Sequence, residues 1–170
     1  MPLAASSGIF LGSDYHFDLV RPGAALYGVA PVSGQPNPMH QVVRLQARVL
    51  QTREVPAGTP VGYGHTARTA SAARLATVSV GYVDGYFRSA SNQGVAYFGD
   101  TPLPVVGRVS MDSIILDASA LPPGALVPGA LVDMIGPHNT VDAVAKSAGT
   151  IGYEILTSLG PRFQRRYVGA

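Results

Sequence analysis

Val43-Arg44-Leu45-Gln46-Ala47-Arg48-Val49 decides the fold class of this 170-residue chain. Apolar and polar residues alternate along it, the period-two pattern of a strand with one buried face. Arg44, Gln46 and Arg48 then face solvent, and the apolar residues between them face a core. Working outward, Arg74–Val80 alternates less cleanly, as R-L-A-T-V-S-V. Gly94–Phe98 and Leu103–Val109 flank the turn-rich tetrapeptide GDTP and read as a hairpin. Ser113–Leu116 and Leu131–Ile135 add two more strands. Turn signals at Pro56–Gly58, Gly99–Asp100, Pro122–Gly124 and Pro128–Gly129 punctuate them. Short strands at this spacing predict a mainly β chain, folded as a sandwich or barrel.

The two ends read differently. Thr140 can cap a short helix running through Asp142, Val144 and Ala145 and stopping at Gly149. Thr150–Leu159 can form a second, ended by Gly160–Pro161. At the other end, Phe17–Tyr27 is an apolar segment interrupted by Pro22 and Gly23, a strand that breaks into a loop. The stretch PVSGQPNPMH, residues 31–40, carries three prolines and a glycine with no apolar period. The expected organisation is a first unit over residues 1–30, a linker over 31–38 and a β domain over 39–170.

Composition narrows the function. Hydrophobic residues make up 46% of the chain, enough for a real core, while charged residues are only 13%. So little charge is low for a freestanding domain and favours a surface that faces another chain or domain. The net charge is +2. Arg162, Arg165 and Arg166 cluster near the end and read as a solvated tail, not a nucleic-acid stripe with interleaved aromatics. With no cysteine, disulfides, thiolate catalysis and Cys-ligated zinc are excluded. His16, His40, His65 and His138 lie far apart, so no metal site is read. No apolar run approaches the ~20 residues that span a bilayer. The first residues lack the basic start of a signal peptide, so a cytoplasmic location is expected.

Several residues can carry chemistry. Tyr63 lies between Gly62 and Gly64, which let backbone approach a ligand closely and leave the ring poorly shielded. A phenol titrates near pH ~10, so acting as a base at neutral pH requires neighbouring positive charge or a hydrogen bond to phenolate. The residues alone leave open whether Tyr63 is such a base or a packed strand-end tyrosine. Arg21 precedes Pro22 and Gly23 at a strand end, and an arginine can only donate hydrogen bonds. Ser6 and Ser7 beside Gly8 suit a phosphate. Met111–Asp112 can present a backbone N–H to a carboxylate, and Tyr82 and Tyr86, around Asp84 and Gly85, can line an entrance. The lone Gly62–Gly64 pair lacks the third glycine of a dinucleotide fingerprint, and no GxSxG elbow occurs.

Four segments in order, RPGAALYG (21–28), VGYGHT (61–66), GYVDGY (81–86) and GRVSMD (107–112), carry a resemblance. Together they resemble the C-terminal half of alanine racemase, from about residue 3 to the end of the chain. The resemblance implies a C-terminal β domain of that type with short helices near its end, preceded by a remnant of the last strand of a (β/α)8 barrel. It implies pyridoxal 5'-phosphate (PLP) as cofactor, held in that family as a Schiff base on a lysine of the barrel. The single lysine here, Lys146, stands in a segment unlike that site, so the amine is expected to come from elsewhere.

By the same resemblance Tyr63 is one of two catalytic acid/bases, acting on the substrate face opposite the lysine. Arg21 is the arginine that hydrogen-bonds the pyridine nitrogen, leaving it unprotonated and the cofactor a weaker electron sink. Ser6, Gly23, Ala24 and Tyr153 match positions that hold the phosphate, although Ala5 stands where the family commonly has asparagine. Met111 matches the residue whose backbone N–H binds the substrate carboxylate, with Asp112 beside it, and Tyr82 matches an entrance tyrosine. The family works as a head-to-tail dimer, so Tyr63 and Met111 would serve the partner's cofactor and Arg21, Ser6 and Tyr153 their own.

The function implied is interconversion of L- and D-alanine, supplying D-alanine for peptidoglycan. The partner would be a second copy of the chain or a separately supplied N-terminal barrel, and the substrate a small amino acid. Neither nucleic acid nor membrane is expected as a partner. The polypeptide alone is expected to be inactive. Two alternatives stand beside this reading: a non-catalytic β module or product of a truncated or split gene, and a racemase of another small amino acid such as serine.

Overall fold

The computed structural model describes residues 2–169 of the chain, and side chains from Ala4 to Gly169. Its N-terminal part opens with β1 (Pro2–Ala5), which runs directly into the single helical turn α1 (Ser6–Ile9). The chain then returns as β2 (Leu19–Arg21), parallel to β1, with Ala5 in register with Arg21. Past Pro22 and Gly23 it enters a 3-10 turn over Ala24–Tyr27. The Phe17–Tyr27 segment thus holds a three-residue strand and a helical turn, because Pro22 removes a ladder donor and stops the strand. A second strand, Pro2–Ala5, stands beside the one read from sequence; four residues of P-L-A-A have no alternation to betray it.

The rest is antiparallel β. The strands are β3 (Leu45–Val55), β4 (Pro60–Val61), β5 (Ala67–Arg68), β6 (Ala73–Val78), β7 (Val95–Phe98), β8 (Thr101–Pro104), β9 (Ile114–Asp117) and β10 (Leu131–Ile135). Six of them form one sheet in the order β8-β7-β10-β3-β6-β9. The two edges approach each other: Val105 bridges Leu116, and the Val106 amide donates to the Ile115 carbonyl at 2.9 Å. The sheet is therefore a nearly closed barrel, which removes open edges. β4 and β5 form a separate two-stranded hairpin.

β3 behaves as its alternation requires. Leu45, Ala47 and Val49 are buried while Arg44, Gln46 and Arg48 are exposed. Its first half pairs with β10 and its second half with β6, the register shifting between Val49 and Gln51. Arg44 and Gln46 donate to the carboxylate of Asp133 on the neighbouring β10 at 2.8 to 2.9 Å. The core gathers Leu45, Val49, Val78, Leu103, Ile114, Leu116, Val132, Met134 and Ile135.

α2 (Val141–Ala148) and α3 (Gly152–Ser158) close the fold. Thr140 caps α2 by accepting from the Ala143 amide, and Gly149 ends it in the left-handed conformation. α2 buries Val141, Val144, Ala145 and Ala148. The Arg162–Arg166 segment, read as a solvated tail, is corrected in part. The Arg162 guanidinium stands 3.3 Å from the Asp84 carboxylate, and Arg165 donates to the carbonyls of Leu159 and Gly160. Among the described residues, no helix is long and apolar enough to cross a membrane.

Candidate active-site face

Tyr63 begins a 3-10 turn, Tyr63–His65, at the tip of the β4–β5 hairpin. Gly62 and Gly64 on either side have φ of 71° and 72°, a region that side-chain-bearing residues enter only at a cost. The glycines also permit close approach. A Cβ at Gly62 would stand 3.2 Å from the Arg108 amide nitrogen, and one at Gly64 would stand 3.0 Å from Arg108 Nη1. The tyrosine turn is thus seated backbone to backbone on the GRVSMD loop. Its ring is 73% exposed, so the phenol is presented to whatever lies against this face.

The GRVSMD loop is held from behind. Asn92 Oδ1 accepts from the Gly107 amide, and Ser91 Oγ accepts from the Val109 amide at 3.0 Å. These bonds and the positive φ of Gly107 turn the chain out of the sheet after Val106. The strand read over Leu103–Val109 therefore ends at Pro104 apart from the single bridge at Val105. Met111 and Asp112 consequently lie in a loop before β9, both exposed. Next to them runs the GYVDGY loop, where the Tyr82 amide donates to the Ser110 carbonyl at 3.0 Å and the Val83 amide to the Met111 carbonyl at 2.9 Å. Tyr82 is 43% exposed. The GRVSMD loop thus touches both the turn that carries Tyr63 and the loop that carries Tyr82, and joins three segments distant in sequence.

Tyr86 differs from Tyr82. Its ring is buried, its hydroxyl meets no hydrogen-bond partner among the described residues, and burial pushes the phenol up to about 12. It is a core residue, not part of an entrance.

The second set of residues gathers elsewhere. Ser6 is 2% exposed, and its Oγ accepts from the amides of Gly23 at 3.0 Å and Ala25 at 3.2 Å. With both lone pairs engaged, the hydroxyl has only its proton left to offer, which matches an acceptor-only oxygen such as that of a phosphate. Ala24 stands between the two amides that Ser6 holds, and Arg21 ends the strand leading into them. Tyr153, 41% exposed, lies in the first turn of α3 beside Gly152, which packs on Val29 just past the Ala24–Tyr27 turn. These residues fit the phosphate end of PLP. They do not supply its amine: Lys146 is exposed in the last turn of α2.

The sequence reading did not single out Arg108 or Asp84. Arg108 lies inside a quoted motif, but only folding brings its guanidinium against Gly64. Among the described residues, no group of three or more His, Asp or Glu gathers that could hold a metal ion.

Comparison with known proteins decides the family. The model of the alanine racemase C-terminal domain matches residues 42–167. A catabolic alanine racemase of Mesorhizobium japonicum is 59% identical over 167 residues, covering 98% of this chain and 43% of that protein. The chain belongs to the alanine racemase family. A Brucella abortus alanine racemase is 51% identical, over 98% of this chain and 45% of its own length. A crystal structure of alanine racemase from Bartonella henselae, with covalently bound pyridoxal phosphate, superposes with a TM-score of 0.91 at 50% identity, over 98% of this chain and 46% of that one. The biosynthetic alanine racemase of Pseudomonas aeruginosa gives a TM-score of 0.92 at 37% identity, over 99% of this chain and 47% of that one. The mainly β fold, a nearly closed barrel with few short helices, is that of the alanine racemase C-terminal domain. The chain spans under half the length of these racemases.

Proposed function

We propose that this chain forms the C-terminal part of a PLP-dependent alanine racemase and supplies one of the two acid/bases that invert the amino-acid Cα. The observation that carries the reading is the Tyr63 phenol: exposed, raised on a hairpin tip between two positive-φ glycines, and lodged on the loop of Met111 and Asp112.

When bound, PLP supplies the electron sink that makes the amino-acid Cα acidic. The residues of this chain do the rest from one side. Tyr63 takes the Cα proton or returns it on its face of the substrate, and the lysine amine, from a segment outside this sequence, acts on the other. The Met111 backbone N–H binds the substrate carboxylate, with Asp112 beside it, and Tyr82 lines the entrance. Ser6, Gly23, Ala24 and Tyr153 hold the phosphate. Arg21, able only to donate, hydrogen-bonds the pyridine nitrogen and keeps a proton off it.

The two residue sets lie on different elements, which suits a head-to-tail dimer. Tyr63 and Met111 then serve the partner's cofactor, and Ser6, Arg21 and Tyr153 that of their own subunit. Exposed Phe10, Leu11, Phe17, Leu19, Leu26 and Tyr27 give the residue 1–30 unit an apolar surface that suits a barrel remnant covered by the rest of its barrel. The names of the relatives favour alanine over serine as substrate. The product D-alanine would serve peptidoglycan synthesis in the cytoplasm.

The test mixes the purified chain with the PLP-binding half of the racemase and follows racemisation of L-alanine by polarimetry. Turnover in the mixture, none in either part, and loss of turnover with Tyr63→Phe are the expected results. Turnover by the 170-residue chain alone, or a mixture indifferent to the Tyr63 substitution, would overturn the reading. A mixture that never becomes active favours a non-catalytic β module.

A further inference from the structure

The GYVDGY loop contains an acidic residue that the chemistry above does not use. Asp84 is nearly buried, its side chain only 8% exposed. One carboxylate oxygen accepts from the Gly81 amide at 2.9 Å, which ties Asp84 to the start of the loop. The other faces Arg162 Nε at 3.3 Å. Asp84 also binds the C-terminal segment through its backbone, its carbonyl accepting from the Gly160 amide at 3.1 Å. One residue on, Gly85 lies so close to the Ser158 carbonyl that a Cβ there would stand 2.0 Å from the oxygen. The segment after α3 is therefore laid against one side of the loop.

The other side of the same loop holds the proposed carboxylate-binding turn. The Tyr82 and Val83 amides donate to Ser110 and Met111 carbonyls. Gly81 lies hard against Met111, with a Cβ there 2.4 Å from its carbonyl oxygen. The contacts are continuous from Arg162, through Asp84 and the loop, to the backbone of Met111.

We infer that Asp84 and Arg162 are positioning residues for the racemase reaction: their ion pair locks the C-terminal segment onto the GYVDGY loop and so sets the placement of the Met111–Asp112 turn that receives the substrate carboxylate. The inference rests on the reading of the site given above. An ion pair with a half-exposed arginine contributes little Coulomb energy by itself. Its effect here comes from the partner. Without Arg162 the nearly buried Asp84 carboxylate keeps the Gly81 amide as its one donor among the described residues, and the loop must open to hydrate it. Opening draws Tyr82 and Val83 away from residues 110 and 111. The consequence falls first on binding of the substrate carboxylate: the GYVDGY loop bonds residues 110 and 111, whereas the Tyr63 turn rests on residues 107 and 108 of the same loop, which Asn92 and Ser91 hold from behind.

The test uses the holoenzyme that carries this chain, with Arg162→Ala, Arg162→Lys and Asp84→Asn. Arg162→Ala is expected to raise KM for alanine about tenfold while kcat stays within about twofold, and to speed amide hydrogen exchange at Tyr82 and Val83 with no change in β3 and β6. Arg162→Lys keeps the charge and is expected to recover most of the loss; Asp84→Asn is expected to resemble Arg162→Ala. An unchanged KM in Arg162→Ala overturns the inference, whatever the exchange shows. So does a rise in KM matched by falls in kcat and melting temperature that lysine does not rescue, which marks general structural support. Tyr63→Phe is the control that separates the two readings. If it loses turnover, the site reading stands and an unchanged KM sinks the clamp alone; if it does not, both fall.

Discussion

The guanidinium of Arg108 lies against Gly64, so close that a Cβ at residue 64 would stand 3.0 Å from Nη1. Gly64 also has a φ of 72°. Gly64→Ala therefore meets two obstacles, a left-handed backbone costing about 1–2 kcal/mol and a cation in the way. Arg108 can give ground, being the end of a flexible side chain; the backbone cannot. The turn is expected to shift and carry Tyr63 with it. Racemisation should fall about 10- to 100-fold with little change in PLP affinity. Turnover equal to wild type would show that the turn tolerates a side chain and that glycine there is not needed to aim the phenol.

Tyr63→Phe removes one hydroxyl from a ring that is 73% exposed. Little packing is lost, so the unfolding free energy should change by no more than a surface substitution does, about 0.5 kcal/mol. A group that only filled space would show the same indifference in turnover. A group that moves a proton should show a loss of about 10²- to 10⁴-fold. The decisive contrast is between thermal unfolding and kcat on the same preparation, with the isotope at Cα followed by NMR to report which face still exchanges.

How far the sequence could be read depended on whether a contact is local. The period-two run at Val43–Val49 was legible because each polar residue in it stays on the solvent side, where Arg44 and Gln46 reach Asp133. The cap at Thr140 was legible because its partner, the Ala143 amide, is three residues away. β4 and β5 were not, since two residues cannot show a period. The overlong strand at Leu103–Val109 failed for a different reason: the bonds that turn the chain come from Ser91 and Asn92, which nothing in the segment announces. The site divided in the same way. Tyr63 was marked by its own neighbours, Gly62 and Gly64. Arg108 and Asp84 act across loops and carry no local mark, and the solvated reading of Arg162 missed a partner that folding brings from residue 84.

Ser6 Oγ gathers the amides of Gly23 and Ala25 in a nearly closed environment. Ser6→Ala leaves both donors unmatched, at a cost of about 1–3 kcal/mol, and removes the one proton available to a phosphate oxygen. PLP dissociation from the assembled enzyme, followed by cofactor absorbance on dilution, should become at least about tenfold easier. At saturating PLP the turnover should recover most of its wild-type value, because Tyr63 and Met111 are untouched. Unchanged affinity would remove Ser6 from the phosphate site and leave it as a brace for the Ala24–Tyr27 turn.

Tyr86 makes the stability of this fold sensitive to alkali. Its hydroxyl is buried and burial raises the phenol to about 12, whereas an unfolded tyrosine titrates near ~10. The native state therefore keeps its proton where the unfolded state loses it. Stability is fully present below pH ~10 and falls as pH rises towards about 12, by about 1–3 kcal/mol in all. Tyr86→Phe removes the titrating group and also a buried hydroxyl that has no partner among the described residues. The variant should match or exceed wild-type stability by about 1 kcal/mol at pH ~8 and hold it through the alkaline range. Urea unfolding of both proteins at pH ~8 and pH ~11 measures the difference directly. Equal alkaline losses in the two would mean that other groups govern the transition, and that the ring at residue 86 reaches solvent before it ionises.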